Sequence, residues 1–385
     1  MSETECSTPI DGLCDPRFAA VREAFRENFE KRWEPGAALA VSLNGRVVVD
    51  LWGGWADRAR TTPWQRDTLV NVFSVSKAFC TICALRLVER NLVDLDAPLA
   101  DCWPEFAAAG KETITLRHVL SHRAGMAAVR RDLPDGAALD WQTITAALAE
   151  QKPWWEPGRA HGYHVNTFGF LVGEVVRRVT GKTLGTMLRE EIAGPLGADI
   201  HIGLPASEHD RVAEFLWPSG TPSRPPIETD LELMRWNAYW NPPGISGSNW
   251  VNTAAWRLAE IPSTNGHATA RGIARVYAAL ANWGSLDGVR ILEEPTLRAA
   301  LVEHSNGTDL ISGRQTCFGL GFQLTHPERP LGPNPNAFGH FGAGGALGFC
   351  DPDAGIAFGY VTNDMGPRWQ NPRNRALIDA AFACV

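Results

Sequence analysis

After Asp15-Pro16, an N-cap followed by a first-turn proline, apolar residues recur at Phe18, Val21, Phe25 and Phe29, with Arg22, Glu23, Arg26 and Glu27 between them. That spacing predicts an amphipathic surface helix with one aromatic stripe turned inward. Two β-rich runs, 37–43 and 46–52, flank Asn44-Gly45, the strongest short-range hairpin signal. Residues 74–90 are apolar almost all the way round, which predicts a helix buried on every side. From 94 to 262 the chain is irregular and rich in Trp, Pro and Gly, with helical pattern at 116–120, 167–179 and 184–192 and a polar, Pro-rich loop at 218–226. Helices are predicted again at 268–283 and 295–302. Strands follow at 319–325, 338–341, 346–351 and 355–361, and a helix at 376–384 closes the chain.

Strands at both ends with helices between them predict an α+β fold rather than a βαβ alternation. N- and C-terminal strands pair into one antiparallel sheet flanked by helices, and a mainly helical insertion sits to one side. The expected division is a sheet domain of 1–93 and 263–385 and an insertion domain of 94–262, with the site in the cleft between them.

Composition narrows the function. With 385 residues, 44% hydrophobic and 21% charged, the chain reads as globular. A net charge of −7 argues against a nucleic-acid partner, which demands a basic face. No apolar run reaches membrane-spanning length. Met1-Ser2-Glu3-Thr4-Glu5-Cys6 is polar and acidic, the reverse of a secretory leader, so a cytoplasmic location is expected. The eight cysteines include one close pair, Cys80 and Cys83, with no second pair to complete a zinc site; buried free thiols are expected.

Candidate chemistry centres on Ser74-Val75-Ser76-Lys77, the one Ser-x-x-Lys in a chain with only five lysines. The offset of three puts Ser74 and Lys77 on one helix face near the helix N-terminus. Burial and the positive end of the helix dipole both disfavour the ammonium there, and a neutral lysine is able to take a serine proton. A lysine in this position also serves simply to cap a loop or pair a carboxylate. Tyr163, one of four tyrosines, lies in a turn-rich loop leading into a helix. A phenol beside Ser74 and Lys77 carries protons; one that merely packs looks the same in sequence. Phe338-Gly339-His340-Phe341-Gly342-Ala343-Gly344-Gly345 is glycine-rich on a strand, which suits either a close ligand approach or an ordinary bulge.

Together these stretches resemble the serine β-lactamase and penicillin-binding-protein superfamily, and within it the family VIII carboxylesterases related to class C β-lactamases. The resemblance also covers Thr115-Leu116-Arg117-His118-Val119-Leu120-Ser121-His122-Arg123-Ala124-Gly125-Met126, the 157–169 loop, and Pro262-Ser263-Thr264-Asn265-Gly266-His267. It implies a β-lactamase-like fold and an acyl-enzyme reaction on a small-molecule ester with no metal or organic cofactor. By the same resemblance Ser74 is the nucleophile, Lys77 its base and Tyr163 the shared proton carrier, while the backbone N–H groups of Ser74 and Ala343 form the oxyanion hole. The family's Lys-Thr-Gly position holds His340-Phe341-Gly342, and its Tyr-x-Asn position holds Tyr163-His164-Val165. A histidine largely neutral at pH 7 gives up the permanent cation that attracts a substrate carboxylate. Val165 gives up a side-chain hydrogen bond to a β-lactam amide. Both departures favour an esterase over a β-lactamase.

Of the fifteen tryptophans, Trp240 and Trp250 are the foremost candidates for an apolar substrate pocket. His118 and His122 have the i, i+4 spacing of a helical zinc site but lack the adjacent glutamate, since Val119 stands there. The absence of Gly-x-Ser-x-Gly excludes the α/β-hydrolase elbow. The sequence leaves the physiological ester and the oligomeric state open, and a non-catalytic penicillin-binding-like protein remains the alternative from another class.

Overall fold

The computed structural model describes residues 8–218, 222–366 and 370–385. The acidic Met1–Cys6 stretch and part of the 218–226 loop lie outside them. Strands from the two ends of the chain pair into a single antiparallel sheet. Its members are β1 (Ile10–Cys14), β2 (Gly36–Leu43), β3 (Arg46–Gly54), β4 (Ser305–Thr308), β5 (Gln315–Phe318), β6 (Gln323–Leu324), β7 (Phe338–Phe341), β8 (Leu347–Asp351) and β9 (Ile356–Thr362). They lie in the order β1-β3-β2-β9-β8-β7-β6-β5-β4. The join between chain ends is β2 against β9, with Leu39 opposite Tyr360 and Val41 opposite Phe358.

Among the described residues the longest helices are α1 (Ala19–Lys31), α2 (Ser76–Glu89), α3 (Thr167–Thr180), α4 (Asp230–Trp240), α5 (Ala270–Ala281) and α6 (Pro372–Phe382). Because strand side chains alternate, Ala37, Leu39 and Val41 join Phe18, which precedes α1, Val21 and Phe25 of α1, and Leu377 and Ile378 of α6 on one face. Ala38 and Ala40 face the opposite cluster with Ile273, Ala274 and Tyr277 of α5. This second face is built small so that α5 rests on the backbone. A Cβ on Gly348 would lie 2.3 Å from the Tyr277 ring, and one on Gly359 would lie 2.2 Å from the Ala270 carbonyl oxygen. Helix α2 runs through this core with Ser76–Leu85 and Leu87 all buried, as its unbroken apolar circumference predicts.

Several boundaries differ from the sequence reading. Of the strand expected at 319–325 only β6 (Gln323–Leu324) forms; 319–322 is a turn that follows β5, in which the Gly319 N–H donates to Phe322 O at 3.0 Å and Gly321 has φ +73°. Left-handed backbone cannot continue a strand. Strand β1 escapes the pattern because its outward residues are Asp11 and Leu13 while Gly12 faces in. Strand β4 is polar Ser-Asn-Gly-Thr. Helix α6 starts at Pro372, ahead of the expected 376, because Asn371 caps it in a capping box with Asn374. Among the described cysteines all are free thiols, but Cys14, Cys102 and Cys384 are only half-buried. No helix among the described residues is long and apolar enough to cross a membrane.

Candidate active site

The tight turn before α2 sets Ser74. Residues Phe73–Val75 form a single helical turn, entered by Phe73 at φ +48°, a left-handed conformation that side chains rarely adopt. Its ring is anchored edge-on to Phe215 at 4.8 Å between centroids. Between Thr68 and Leu85, Ser74 alone is not fully buried.

Lys77, one turn on, is wholly buried. Its Nζ lies 3.1 Å from Ser74 Oγ and donates to the carbonyl oxygens of Val165 at 2.7 Å and Ser263 at 3.1 Å. Burial pulls its pKa down to about 7, with only a small opposing pull from Cys80. Tyr163 is buried above the amine, with Nζ 4.7 Å from the ring centroid. Burial pushes the phenol well above its ordinary pKa, while a hydrogen bond with Ser74 pulls the other way. Ser74, Lys77 and Tyr163 are therefore brought together, with a serine oxygen facing a near-neutral amine and a protonated phenol.

The glycine-rich segment closes the other side. Gly342 comes so near the Ser74 turn that a Cβ would lie 2.4 Å from Val72 O. After β7 the chain turns back, the Gly342 N–H donating to Ala346 O at 2.7 Å and the Gly345 N–H to Gly342 O at 3.2 Å. Among the described residues no backbone acceptor takes the N–H of Ala343 or of Ser74.

This arrangement has known relatives. The beta-lactamase family model matches residues 21–382. The chain belongs to the beta-lactamase family. It is 38% identical over 371 residues to the esterase/beta-lactamase LipL of Mycobacterium tuberculosis (strain ATCC 25618 / H37Rv), spanning 92% of this chain and 83% of that protein. A solved structure described as a family VIII carboxylesterase superposes with a TM-score of 0.90 at 42% identity, over 98% of this chain and 100% of that one. EstA from Arthrobacter nitroguajacolicus Rue61a gives 0.85 at 34% identity, over 97% and 98%.

In this beta-lactamase-family chain His340 is wholly buried on β7. Its Nδ1–H donates to Phe341 O at 2.8 Å, so Nε2 is unprotonated, and the ring centroid is 6.0 Å from that of Tyr163. Burial first, and the Lys77 charge second, depress its pKa to about 3. Phe341 points to the other face of the sheet and packs in the cluster under α1 and α6. Val165 contributes its carbonyl to Lys77 and its side chain to a cluster around Tyr163 with Met234, Ala238, Ile311 and Phe318, against which Tyr239 also packs.

The two tryptophans are placed apart from one another. Trp240 ends α4 with its ring 5.8 Å from Trp236. Trp250 donates its indole N–H to Asp135 at 2.9 Å and lies against Gly244.

The histidines do not converge on an ion. His118 closes a capping box with Thr115, whose N–H reaches its Nδ1 at 3.3 Å. His122 instead accepts the His164 N–H at 3.2 Å, and His164 accepts the Met126 N–H at 3.1 Å. Among the described residues no group of three or more His, Cys, Asp or Glu is placed to hold a metal. The Ser263 carbonyl on Lys77 went unread because backbone acceptors leave no mark in sequence. Ile311, Phe318 and Tyr239 went unread because they come from distant segments.

Proposed function

We propose that this protein is a serine carboxylesterase that hydrolyses short- to medium-chain esters through an acyl-enzyme on Ser74. The carrying observation is the buried Lys77 amine, held near neutrality 3.1 Å from Ser74 Oγ. Ser74 Oγ attacks the ester carbonyl carbon as its proton passes to Lys77 Nζ. The carbonyl oxygen takes up the negative charge between the Ser74 and Ala343 N–H groups. Collapse breaks the bond to the alkoxide, which leaves with a proton delivered through Tyr163. Water then attacks the acyl group, giving its proton back along the same route and freeing Ser74. None of these steps calls for a metal or organic cofactor. In this reading the reacting groups lie where the 94–262 insertion meets the sheet-bearing segments 1–93 and 263–385.

A neutral His340 favours esters without a carboxylate over penicillins and cephalosporins. The esterase names borne by several relatives support the same choice. β-Lactam, amide and transacylation chemistry use the same groups and are the alternatives within this class.

The test compares p-nitrophenyl butyrate hydrolysis by the wild type and by Ser74→Ala. Activity that disappears with Ser74 is expected. Equal rates, or none in either, would count against the reading.

A further inference from the structure

Asp309 sits in the turn between β4 and β5, 146 residues from Tyr163 in the chain, and is fully buried. One carboxylate oxygen accepts the Tyr163 N–H at 2.7 Å; the other accepts the N–H groups of Ile311 at 2.9 Å and Ser312 at 2.7 Å. Capping such a turn is ordinary work for Asn or Ser as well as Asp. Facing N–H donors with both oxygens is not, because only a carboxylate accepts at both ends without a donor of its own. The same turn holds the loop a second time, the Leu310 N–H donating to His161 O at 3.1 Å. Between the two bonds, Gly162 leaves so little room that a Cβ would lie 3.3 Å from both Leu310 and Ile311 side chains. The segment held this way carries the Tyr163 phenol and, two residues on, the Val165 carbonyl that receives Lys77.

We propose that Asp309 is a positioning residue, clamping the peptide of Tyr163 so that its phenol stays on Ser74; the inference rests on the serine-hydrolase reading. Asp309→Asn keeps size and shape, but its single oxygen stays with the two N–H groups of Ile311 and Ser312, so its own N–H faces that of Tyr163. Asp309→Ser keeps an acceptor for the turn and is too short to reach Tyr163. In both variants kcat is expected to fall about 10- to 100-fold with KM within about twofold, the signature of a misplaced reacting group. In a Tyr163→Phe background the same substitutions should cost less than about threefold more, because the group they position is gone. Deuterium uptake at the Tyr163 amide should rise in both.

A kcat within about twofold of wild type in a folded variant, or a loss that multiplies in full with Tyr163→Phe, would overturn the proposal. Wild type and Ser74→Ala are assayed alongside. Should those two hydrolyse equally, the serine reading fails on its own, and uptake at the Tyr163 amide decides the clamp: unchanged uptake refutes it.

Discussion

Lys77 Nζ lies 3.1 Å from Ser74 Oγ while the carbonyls of Val165 and Ser263 take its other hydrogen bonds. As an ammonium it donates to all three oxygens. As an amine it keeps two N–H groups for the two carbonyls and turns its lone pair to the serine. Either protonation state is fully hydrogen-bonded, so moving a proton between Ser74 and Lys77 breaks no contact.

That geometry sets the pH dependence of activity. In the proposed mechanism Lys77 acts as base only when unprotonated, and its pKa is about 7. kcat/KM should therefore rise as pH increases towards about 7 and then level off, with Lys77→Met losing on the order of 10³-fold. A profile recorded from pH 5 to 9 checks this; a rise still under way between pH 8 and 9 would contradict it.

Tyr163→Phe removes the phenol oxygen but keeps the ring among Val165, Ile311 and Phe318. kcat should fall on the order of 10²-fold while the melting temperature stays close to wild type. Near wild-type turnover in this variant would remove Tyr163 from the mechanism.

Gly342→Ala puts a methyl 2.4 Å from Val72 O, so the backbone beside Ser74 must shift, and with it the Ala343 N–H proposed as an oxyanion donor. The expected result is a drop in kcat of about 10²-fold or more, the loss typical of one oxyanion donor. Gly181→Ala is the control. It has φ +71° with nothing within 4 Å, so it should lower stability by about 1 kcal/mol and leave kcat alone.

Acid should unfold this protein through its buried histidines. His164, His267 and His340 are held neutral by burial, with pKa values near 4, 3 and 3, below the ordinary value of 6.5. Between about pH 6.5 and 4 the unfolded chain binds more protons than the folded one, so stability is complete above pH 6.5 and falls with falling pH. Melting curves at pH 7, 6 and 5 should show a steady decline. Replacing His267, whose ring is wholly buried, by Leu should flatten it. A flat series in the wild type would refute the assignment.

The fold class was legible because it depends on local pattern. Asn44-Gly45 adopts left-handed φ values of +49° and +79° between β2 and β3, and the nearly all-apolar 74–90 run forms the buried α2. Where pattern was weak, it failed: β1 shows solvent Leu13 and turns Gly12 inward, and the 319–322 turn was read as strand. The capping box of Thr229 with Glu232, which starts α4, was present in the sequence and went unread.

The side chains proposed to react were likewise visible in the sequence. Ser74 and Lys77 are three apart on one helix, and that offset alone makes them neighbours. The fold class and the Ser–Lys pair thus follow from the order of residues alone. Whatever depends on long-range backbone contact came with the folded chain. The Val165 and Ser263 carbonyls hold the amine, Gly342 lies on Val72, and Asp309 reaches Tyr163 across 146 residues. A carbonyl or an N–H is the same at every position of the chain, so its partner is chosen by how the chain folds and not by which residue carries it.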